Sequence, residues 1–276
     1  MKAGTFAPLL AAALMLALRP AAADDMSREK IEAIVADYIK AHPDEIGAMA
    51  RDYVLRHPEV LREILVELTR QKTLQQGAAA QKADQLAADR SQKIGALAQS
   101  LFHSSHQAVL GDPDGDVTLV EFFDYSCGYC KRALADTVAL LGSDAHVRFV
   151  LKDLPILGPR SVDAAQVAIA ARMQEPPGDR YLAFHRQLLG FHGVLTQDVA
   201  MAAARENGFD MDRLQRDMTS AEVAATLKES MGLASALHIS GTPAYVAGDK
   251  VFVGAIGLDA LKEQVALLRR NGAKEQ

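Results

Sequence analysis

The chain of 276 residues contains two cysteines, Cys127 and Cys130, which lie three positions apart. A disulfide between them would close a very short loop, and so short a cross-link constrains the unfolded chain little. A structural zinc site needs four ligands, and the sequence offers no second cysteine pair or cysteine–histidine cluster to complete one. The spacing therefore predicts a dithiol that is oxidised and reduced, rather than a structural cross-link.

The residues on either side of the cysteines predict a strand followed by a helix. Val117–Phe123 is a short apolar run rich in β-branched and aromatic residues, and residues 133–141 have a helical pattern. The N terminus of a helix stabilises an anion, so we expect the thiolate of Cys127 to be the group that attacks a disulfide. Cys130, one turn further along the helix, would then resolve the mixed disulfide.

The rest of the second half of the chain predicts a small mixed α/β sheet that is interrupted by helices. Three further segments have the pattern of strands: residues 146–151, 244–247 and 251–253. Between the last two, Gly248 and Asp249 predict a hairpin turn. A long helical pattern precedes this hairpin and another helix follows it: residues 161–237 and 258–270.

The first 23 residues have the layout of a secretory signal. Lys2 provides a positive charge, residues 6–18 form an apolar stretch, and residues 21–23 are small residues suited to cleavage. The apolar stretch is short for a spanning helix, although an uncleaved anchor stays open as an alternative. The chain carries 30 basic and 35 acidic residues, a net charge of −5 and no basic cluster, so we expect an exported protein that does not bind nucleic acid.

Residues 24–75 predict amphipathic helices that have little to bury among themselves. They contain two aromatic residues, Tyr38 and Tyr53, and their apolar residues recur with the period of a helix. Because such helices bury their apolar stripe against a partner, we expect this segment to associate with other copies of the chain. Residues 76–104 are expected to form a helical linker to a catalytic domain at 105–276. Packing of the whole region on that domain stays open as an alternative.

A short repeat divides the predicted helices of the first segment. Residues 37–44 and 52–59 each begin with Asp-Tyr and end with His-Pro and an acidic residue. Proline suits the first turn of a helix, and an acidic residue there complements the positive end of the helix dipole. We therefore interpret His42 and His57 as residues that separate helices, in preference to metal ligands.

The sequence around the cysteines resembles a known family. Residues 121–130, Glu-Phe-Phe-Asp-Tyr-Ser-Cys-Gly-Tyr-Cys, are similar to the active-site segment of the DsbA branch of the thioredoxin superfamily. Gly241-Thr242-Pro243 matches the cis-proline loop that faces the cysteines in that family. The resemblance covers roughly residues 105–270. It implies an α/β thioredoxin fold with a helical insertion, here preceded by an all-α segment.

The same resemblance implies roles for further residues. Glu121 matches the buried acid of the family, and Lys152 is expected to be its partner, a pair that could take the proton of Cys130. An ordinary structural ion pair is the alternative for these two residues. Substrate contacts are expected from Gly128 and Tyr129 between the cysteines, and from the proline loop. In that loop, we expect Thr242 and Pro243 to contact the substrate.

The residues between the cysteines bear on the direction of electron flow. Oxidases of this family usually have Pro-His there, whereas this chain has Gly128-Tyr129, with Thr242 before the proline. That combination resembles periplasmic isomerases of the DsbC type. A self-associating helical segment before a DsbA-like domain resembles the suppressor of copper sensitivity protein C (ScsC) family. The resemblance implies a periplasmic disulfide isomerase or reductase, assembled as a homo-oligomer, and specifically as a trimer.

The partners implied by this resemblance are misfolded or disulfide-containing periplasmic proteins and a membrane electron-transfer reductase. Two alternatives remain open at this point. One is a DsbA-like dithiol oxidase. The other is a copper(I) carrier, because two soft thiolates at Cys127 and Cys130 suit Cu(I). No other cofactor is expected.

Overall fold

The computed structural model describes residues 27–174 and 178–272. The predicted signal segment, residues 1–23, lies outside the described residues. The chain divides into two compact units, with the boundary between Gln76 and Gly77. Among the described residues, no helix is both long enough and apolar enough to cross a membrane.

The first unit is helical, as the periodicity of its sequence predicts. It contains α1 (Arg28–Ala41), α2 (Pro43–Arg56) and the first part of α3 (Pro58–Ala96). None of the residues of α1 and α2 is buried. Large apolar side chains are exposed instead, including Leu55 at 75% and Val66 at 69%. In a single copy, these helices therefore leave their apolar side chains in contact with water.

The repeated His-Pro pairs separate these helices, and the sequence interpretation is confirmed. His42 lies between α1 and α2, and His57 lies between α2 and α3. The ring of each histidine stacks on the tyrosine four residues earlier, with ring centroids 4.3 Å apart for both Tyr38–His42 and Tyr53–His57. The two copies of the repeat thus form the same local structure. Within the described residues, no group of three or more potential ligands is arranged to hold a metal ion.

The second unit is built on a five-stranded mixed sheet with the strand order β1-β3-β2-β4-β5. Its strands are β1 (Ala108–Gly111), β2 (Val117–Phe123), β3 (Val147–Asp153), β4 (Ala244–Ala247) and β5 (Lys250–Val253). The central pair β2 and β3 is parallel, and the other neighbours are antiparallel. The four-residue edge strand β1 was not predicted from the sequence.

Helices cover both faces of this sheet and form the insertion between β3 and β4. They are α4 (Ala98–Phe102), α5 (Gly128–Ser143), α6 (Pro159–Arg172), α7 (Asp179–Gly190), α8 (Gln197–Glu206), α9 (Met211–Asp217), α10 (Ala221–Ala236) and α11 (Leu258–Gly272). The order β2-α5-β3, then α6 to α10, then β4-β5-α11 is a thioredoxin fold with a helical insertion. The predicted fold class is confirmed.

Alternation along β2 divides the core into two layers. Leu119 and Phe123 belong to the layer that contains residues of α5, α6, α7 and α11. Val120 and Phe122 belong to the opposite layer, with residues of α3, α4 and α10. Successive side chains of a strand point to opposite faces of its sheet, so neighbouring residues of β2 reach different layers.

The end of α3 and the whole of α4 form part of the second layer. Ile94 and Leu101 are buried there, at 3% and 0% exposure. Arg90 donates hydrogen bonds to the carbonyl oxygens of Leu237 and His238, at 2.8 and 2.9 Å. Residues 76–104, expected to be a helical linker, are thus largely helical, and their C-terminal part lies in the core of the second unit.

Candidate active site

The cysteines lie where β2 gives way to α5. The strand ends at Phe123, and α5 begins at Gly128. Asp124 shapes the turn between them, because its Oδ1 accepts a hydrogen bond from the backbone N–H of Ser126 at 2.8 Å. Its own carbonyl oxygen accepts one from the N–H of Cys127 at 3.0 Å. This strand, turn and helix are the local structure that the sequence predicted around the cysteine pair.

Cys127 and Cys130 are both free thiols, and their surroundings differ. Cys127 is the N-cap residue of α5, and its Sγ donates a hydrogen bond to the carbonyl oxygen of Thr242 at 3.2 Å. The Thr242–Pro243 peptide bond is cis, as predicted. The structure therefore brings Cys127 to the loop that carries Thr242 and Pro243, residues more than a hundred positions later in the chain.

Cys130 is fully buried one turn into α5. Burial raises the pKa of its thiol well above the ordinary value, and the charge of Glu121 raises it further. A thiol must lose its proton before it can attack a disulfide. Cys130 can therefore act on a disulfide only if a neighbouring group takes its proton.

Glu121 is placed to be that group. Its carboxyl lies within the sheet and is 4% exposed, where Thr137 Oγ1 and the hydroxyl of Tyr245 donate hydrogen bonds to it at 3.4 and 3.5 Å. These hydrogen bonds are long, so they offset only part of the cost of burying a charge. Burial raises the pKa of Glu121 to about 8. Because this pKa lies near neutral pH, Glu121 can take a proton in its carboxylate form and release it again.

The prediction that Lys152 pairs with Glu121 is wrong. In the parallel register of β2 and β3, Glu121 lies opposite Leu151, so Lys152 points to the other face of the sheet. There its Nζ donates hydrogen bonds to the carbonyl oxygen of Ser100 at 2.7 Å and to Glu229 Oε1 at 2.8 Å. Lys152 therefore takes part in a buried ion pair in the other layer of the core.

Gly128 and Tyr129, between the cysteines, lie at the surface end of α5. Tyr129 is 60% exposed, and the guanidinium carbon of Arg132 lies 4.2 Å from the centroid of its ring. Such a cation–π contact orients the ring without burying it. The ring thus stays available to a molecule that approaches Cys127. The role of both residues in binding substrate stays a prediction.

Sequence reasoning missed a buried polar pair just before the cysteines. The hydroxyl of Tyr125 and Nδ1 of His185 share a hydrogen bond of 3.0 Å, and both side chains are buried. Burial lowers the pKa of His185 to about 3, so its ring stays neutral. Tyr125 lies two residues before Cys127, so the pair anchors the turn that carries the attacking sulfur. No sequence signal connects the two residues, which lie 60 positions apart.

Sequence reasoning also missed the hydroxyl groups that contact Glu121, although two patterns point to them. Thr137 lies seven residues after Cys130, two helical turns along α5, and therefore on the same face of the helix. Tyr245 lies opposite Glu121 in the register of β2 and β4. The sequence identified Asp124 only as part of the family motif and did not predict its role in shaping the turn.

Comparisons with known proteins agree with this geometry. A family model described as a DSBA-like thioredoxin domain matches residues 118–266, more than half of the chain. A solved thioredoxin-like oxidoreductase from Silicibacter pomeroyi is 43% identical, with a TM-score of 0.59, and the match covers 62% of this chain and 97% of that one. A structure of Proteus mirabilis ScsC is 25% identical, with a TM-score of 0.58, and covers 83% of this chain and 97% of that one.

Two curated relatives each match more than half of this chain. Disulfide bond formation protein D of Bacillus subtilis is 25% identical over 169 residues, which cover 58% of this chain and 75% of that protein. The Na⁺/H⁺ antiporter NhaA 1 of Salinispora arenicola is 28% identical over 159 residues, which cover 57% of this chain and 24% of the antiporter. The fold, the cysteine geometry and the family match agree: this chain belongs to the DsbA-like thioredoxin family, and its domain is of the thiol–disulfide oxidoreductase type.

Proposed function

We propose that this protein is a periplasmic protein disulfide isomerase or reductase. The observation that carries the proposal is the contrast between its two cysteines. Cys127 begins a helix beside the carbonyl oxygen of Thr242, whereas Cys130 is buried and its pKa is raised. One thiol can therefore attack a substrate while the other is held back. The expected signal at residues 1–23 supports export to an oxidising compartment.

The proposed reaction begins when the thiolate of Cys127 attacks a substrate disulfide. A bond forms between the sulfur of Cys127 and one substrate sulfur, and the other substrate sulfur leaves as a thiolate. In isomerisation, a different thiolate of the substrate then displaces Cys127 and forms a new substrate disulfide. Cys130 must lose its proton before it can displace the substrate from Cys127. The mixed disulfide therefore has time to react by this route, which supports isomerisation.

In the reductive branch of the reaction, Cys130 displaces the substrate. Its proton passes to a base, for which we propose the carboxylate form of Glu121. The substrate leaves with both of its cysteines reduced, and the enzyme keeps a disulfide between Cys127 and Cys130. Two electrons have then moved to the substrate. We propose that a membrane electron-transfer reductase returns them.

Substrates are proposed to be misfolded or disulfide-containing periplasmic proteins. We propose that such a chain lies in extended form beside the backbone of Thr242 and Pro243 and contacts Gly128 and the exposed ring of Tyr129. The carbonyl oxygen of Thr242 already accepts a hydrogen bond from Cys127. A segment bound there would lie within reach of the attacking sulfur.

Several copies are proposed to act together, as a trimer assembled through residues 24–75. The exposure of large apolar side chains on α1, α2 and the start of α3 supports this proposal, since such surfaces usually mark contacts with other proteins. Several active sites held around one substrate raise the effective concentration of thiol at each wrong disulfide. Assembly would therefore favour isomerisation.

Scrambled ribonuclease tests the proposed function. The reduced protein should restore ribonuclease activity, and a Cys127→Ser variant should not. Oxidation of reduced ribonuclease without any reactivation of the scrambled enzyme would show a dithiol oxidase instead. Deletion of residues 24–75 should lower the mass measured by light scattering and slow reactivation, whereas an unchanged mass would contradict assembly through this segment.

Copper(I) binding is a second candidate, favoured by the two free thiols three residues apart. Within the described residues there is no cluster of other ligand side chains, so the sulfurs of Cys127 and Cys130 would themselves hold the ion. Titration of the reduced protein against a coloured Cu(I) chelator tests this proposal. The intact protein should take one Cu(I) from the chelator, and Cys127→Ser should compete far more weakly. Equal competition by both would exclude this site.

A further inference from the structure

A small cavity opens beside the attacking cysteine. Its volume is about 270 Å³, and its walls come from the turn before α5, the residues after β3, the start of α6 and the loop after α7. Ser126 lines the cavity and immediately precedes Cys127. Leu157 and Val194 also line it and are exposed, at 56% and 59%. A molecule joined to Cys127 would therefore lie next to this cavity.

The charged side chains that line the cavity are cationic. They are Lys131 and Arg160, and no acidic residue of the described chain lines the cavity with them. Lys131 Nζ donates a hydrogen bond to the carbonyl oxygen of Phe191 at 2.7 Å, which ties the loop after α7 to α5. Arg160 is exposed and makes no hydrogen bond or ion pair with any residue that the structure describes. Its guanidinium is thus available to a ligand.

Two acidic residues that are near the lining residues in sequence form no ion pair with these cations in the described structure. Asp124 is buried, and its two carboxylate oxygens accept hydrogen bonds from the backbone N–H groups of Ser126 at 2.8 Å and Leu157 at 3.0 Å. Its role is to hold two walls of the cavity together. Asp163 lies one turn after Arg160 in α6 and forms no ion pair with it in the described structure. The cavity therefore presents cationic side chains on walls that are held by hydrogen bonds.

We propose that this cavity binds a carboxylate side chain of the substrate, close to the substrate cysteine that Cys127 attacks. The inference rests on the proposed function and adds a substrate class to it: segments with an acidic residue next to the cysteine. Arg160 is the residue that determines this preference, because a guanidinium matches the geometry of a carboxylate. The carboxylate is not consumed. Cys127 gains a bond to the substrate sulfur, and the former partner of that sulfur leaves as a thiolate.

Two matched peptides test the proposal. Each carries one cysteine in a mixed disulfide with thionitrobenzoate, and the residues on both sides of the cysteine are either glutamate or glutamine. The release of coloured thionitrobenzoate by the reduced, full-length protein gives a second-order rate constant. We expect the glutamate peptide to react about fivefold faster, which is the order of a partly exposed ion pair.

The variants decide whether Arg160 causes the preference. Arg160→Gln should bring the ratio of the two rate constants close to one, chiefly by slowing the reaction of the glutamate peptide. The matched control is Arg216→Gln, an exposed arginine of α9 outside the cavity, which removes the same charge and should keep the ratio. Equal rates for both peptides with the unaltered protein would overturn the proposed pocket and leave disulfide exchange standing. A failure of both peptides to react would instead remove the proposed function, and the pocket with it.

Discussion

Replacing Glu121 with glutamine should make the stability of the reduced protein depend less on pH. Glutamine has about the size of the protonated carboxyl. Its carbonyl oxygen can accept a hydrogen bond from one of the two hydroxyl groups, Thr137 or Tyr245, and its amide can donate one to the other, so packing is retained. It cannot ionise. The substitution therefore isolates the cost of ionising a carboxyl inside the sheet, beside Cys130.

The size of the change in the free energy of unfolding follows from the pKa of Glu121 in the folded and in the unfolded protein. The folded protein holds this proton up to about pH 8, whereas an ordinary glutamate releases it near pH 4.5. Between these values the folded state binds more protons than the unfolded chain, so the free energy of unfolding falls as the pH rises. The loss reaches roughly 3–5 kcal/mol once the pH exceeds the folded pKa.

Urea unfolding of the reduced protein at pH 5 and pH 8.5 measures this loss. The unaltered protein and Glu121→Gln should have similar stability at pH 5, where the carboxyl is neutral in the folded state. At pH 8.5 the variant should be more stable by roughly 3–5 kcal/mol. Burial also raises the pKa of Asp153 to about 7, but Asp153 is present in both proteins and cancels in the comparison.

A matched control separates this effect from any loss of surface charge. Glu263→Gln removes an exposed carboxyl of α11, and it should leave the pH dependence of stability as it is in the unaltered protein. If Glu121→Gln follows the same pH curve as the unaltered protein, the carboxyl of Glu121 is not held protonated by the fold. The proposed exchange of protons with Cys130 would then lose its basis.

Two other substitutions and a second assay of Glu121→Gln test further parts of the structure. Lys152→Met should lower the free energy of unfolding by about 2–4 kcal/mol, because Glu229 and the carbonyl oxygen of Ser100 lose their donor. The rate at which Cys127 attacks a disulfide should stay unchanged, and a slower attack would return Lys152 to the active site. The exposed Lys250→Met is the control. Ile94→Ala should lower the free energy of unfolding of the second unit, measured with urea, by about 2–4 kcal/mol, whereas the exposed Gln81→Ala on the same helix should change it little. Equal effects of the two substitutions would place Ile94 outside the core. Glu121→Gln should slow the release of a peptide from its mixed disulfide with Cys127 at pH 7 at least tenfold, as followed by quenched mass spectrometry, and an unchanged rate would exclude Glu121 as the base.

The sequence predicted the site well where the residues that form it lie close together in the chain. The cysteine spacing, the strand before it and the helix after it lie within a few residues, so their arrangement could be predicted from neighbouring positions. The His-Pro boundaries at His42 and His57 were predictable for the same reason, since a helix end is set by the residues that form it.

Contacts between distant residues were less accessible to sequence reasoning. Lys152 follows Glu121 on the next strand, yet its position relative to Glu121 depends on the register, which places Leu151 opposite Glu121 and turns Lys152 away. The partner of Lys152, Glu229, lies in the helical insertion, where the sequence pattern does not show which residue faces the sheet. The packing of Ile94 on the second unit was predicted only as an alternative, because the alanine-rich sequence around it suggests a helix without a buried face.

If Cys127 attacks the substrate and Cys130 resolves the mixed disulfide, variants that lack one cysteine or the other should form different products. Reduced Cys130→Ala and Cys127→Ala variants are each mixed with a peptide that contains a disulfide, and the intact mass of the protein is recorded. We expect Cys130→Ala to accumulate one peptide bound covalently to Cys127, whereas Cys127→Ala should remain unmodified. A lasting adduct on Cys130 in the Cys127→Ala variant, or no adduct in Cys130→Ala, would contradict this expectation.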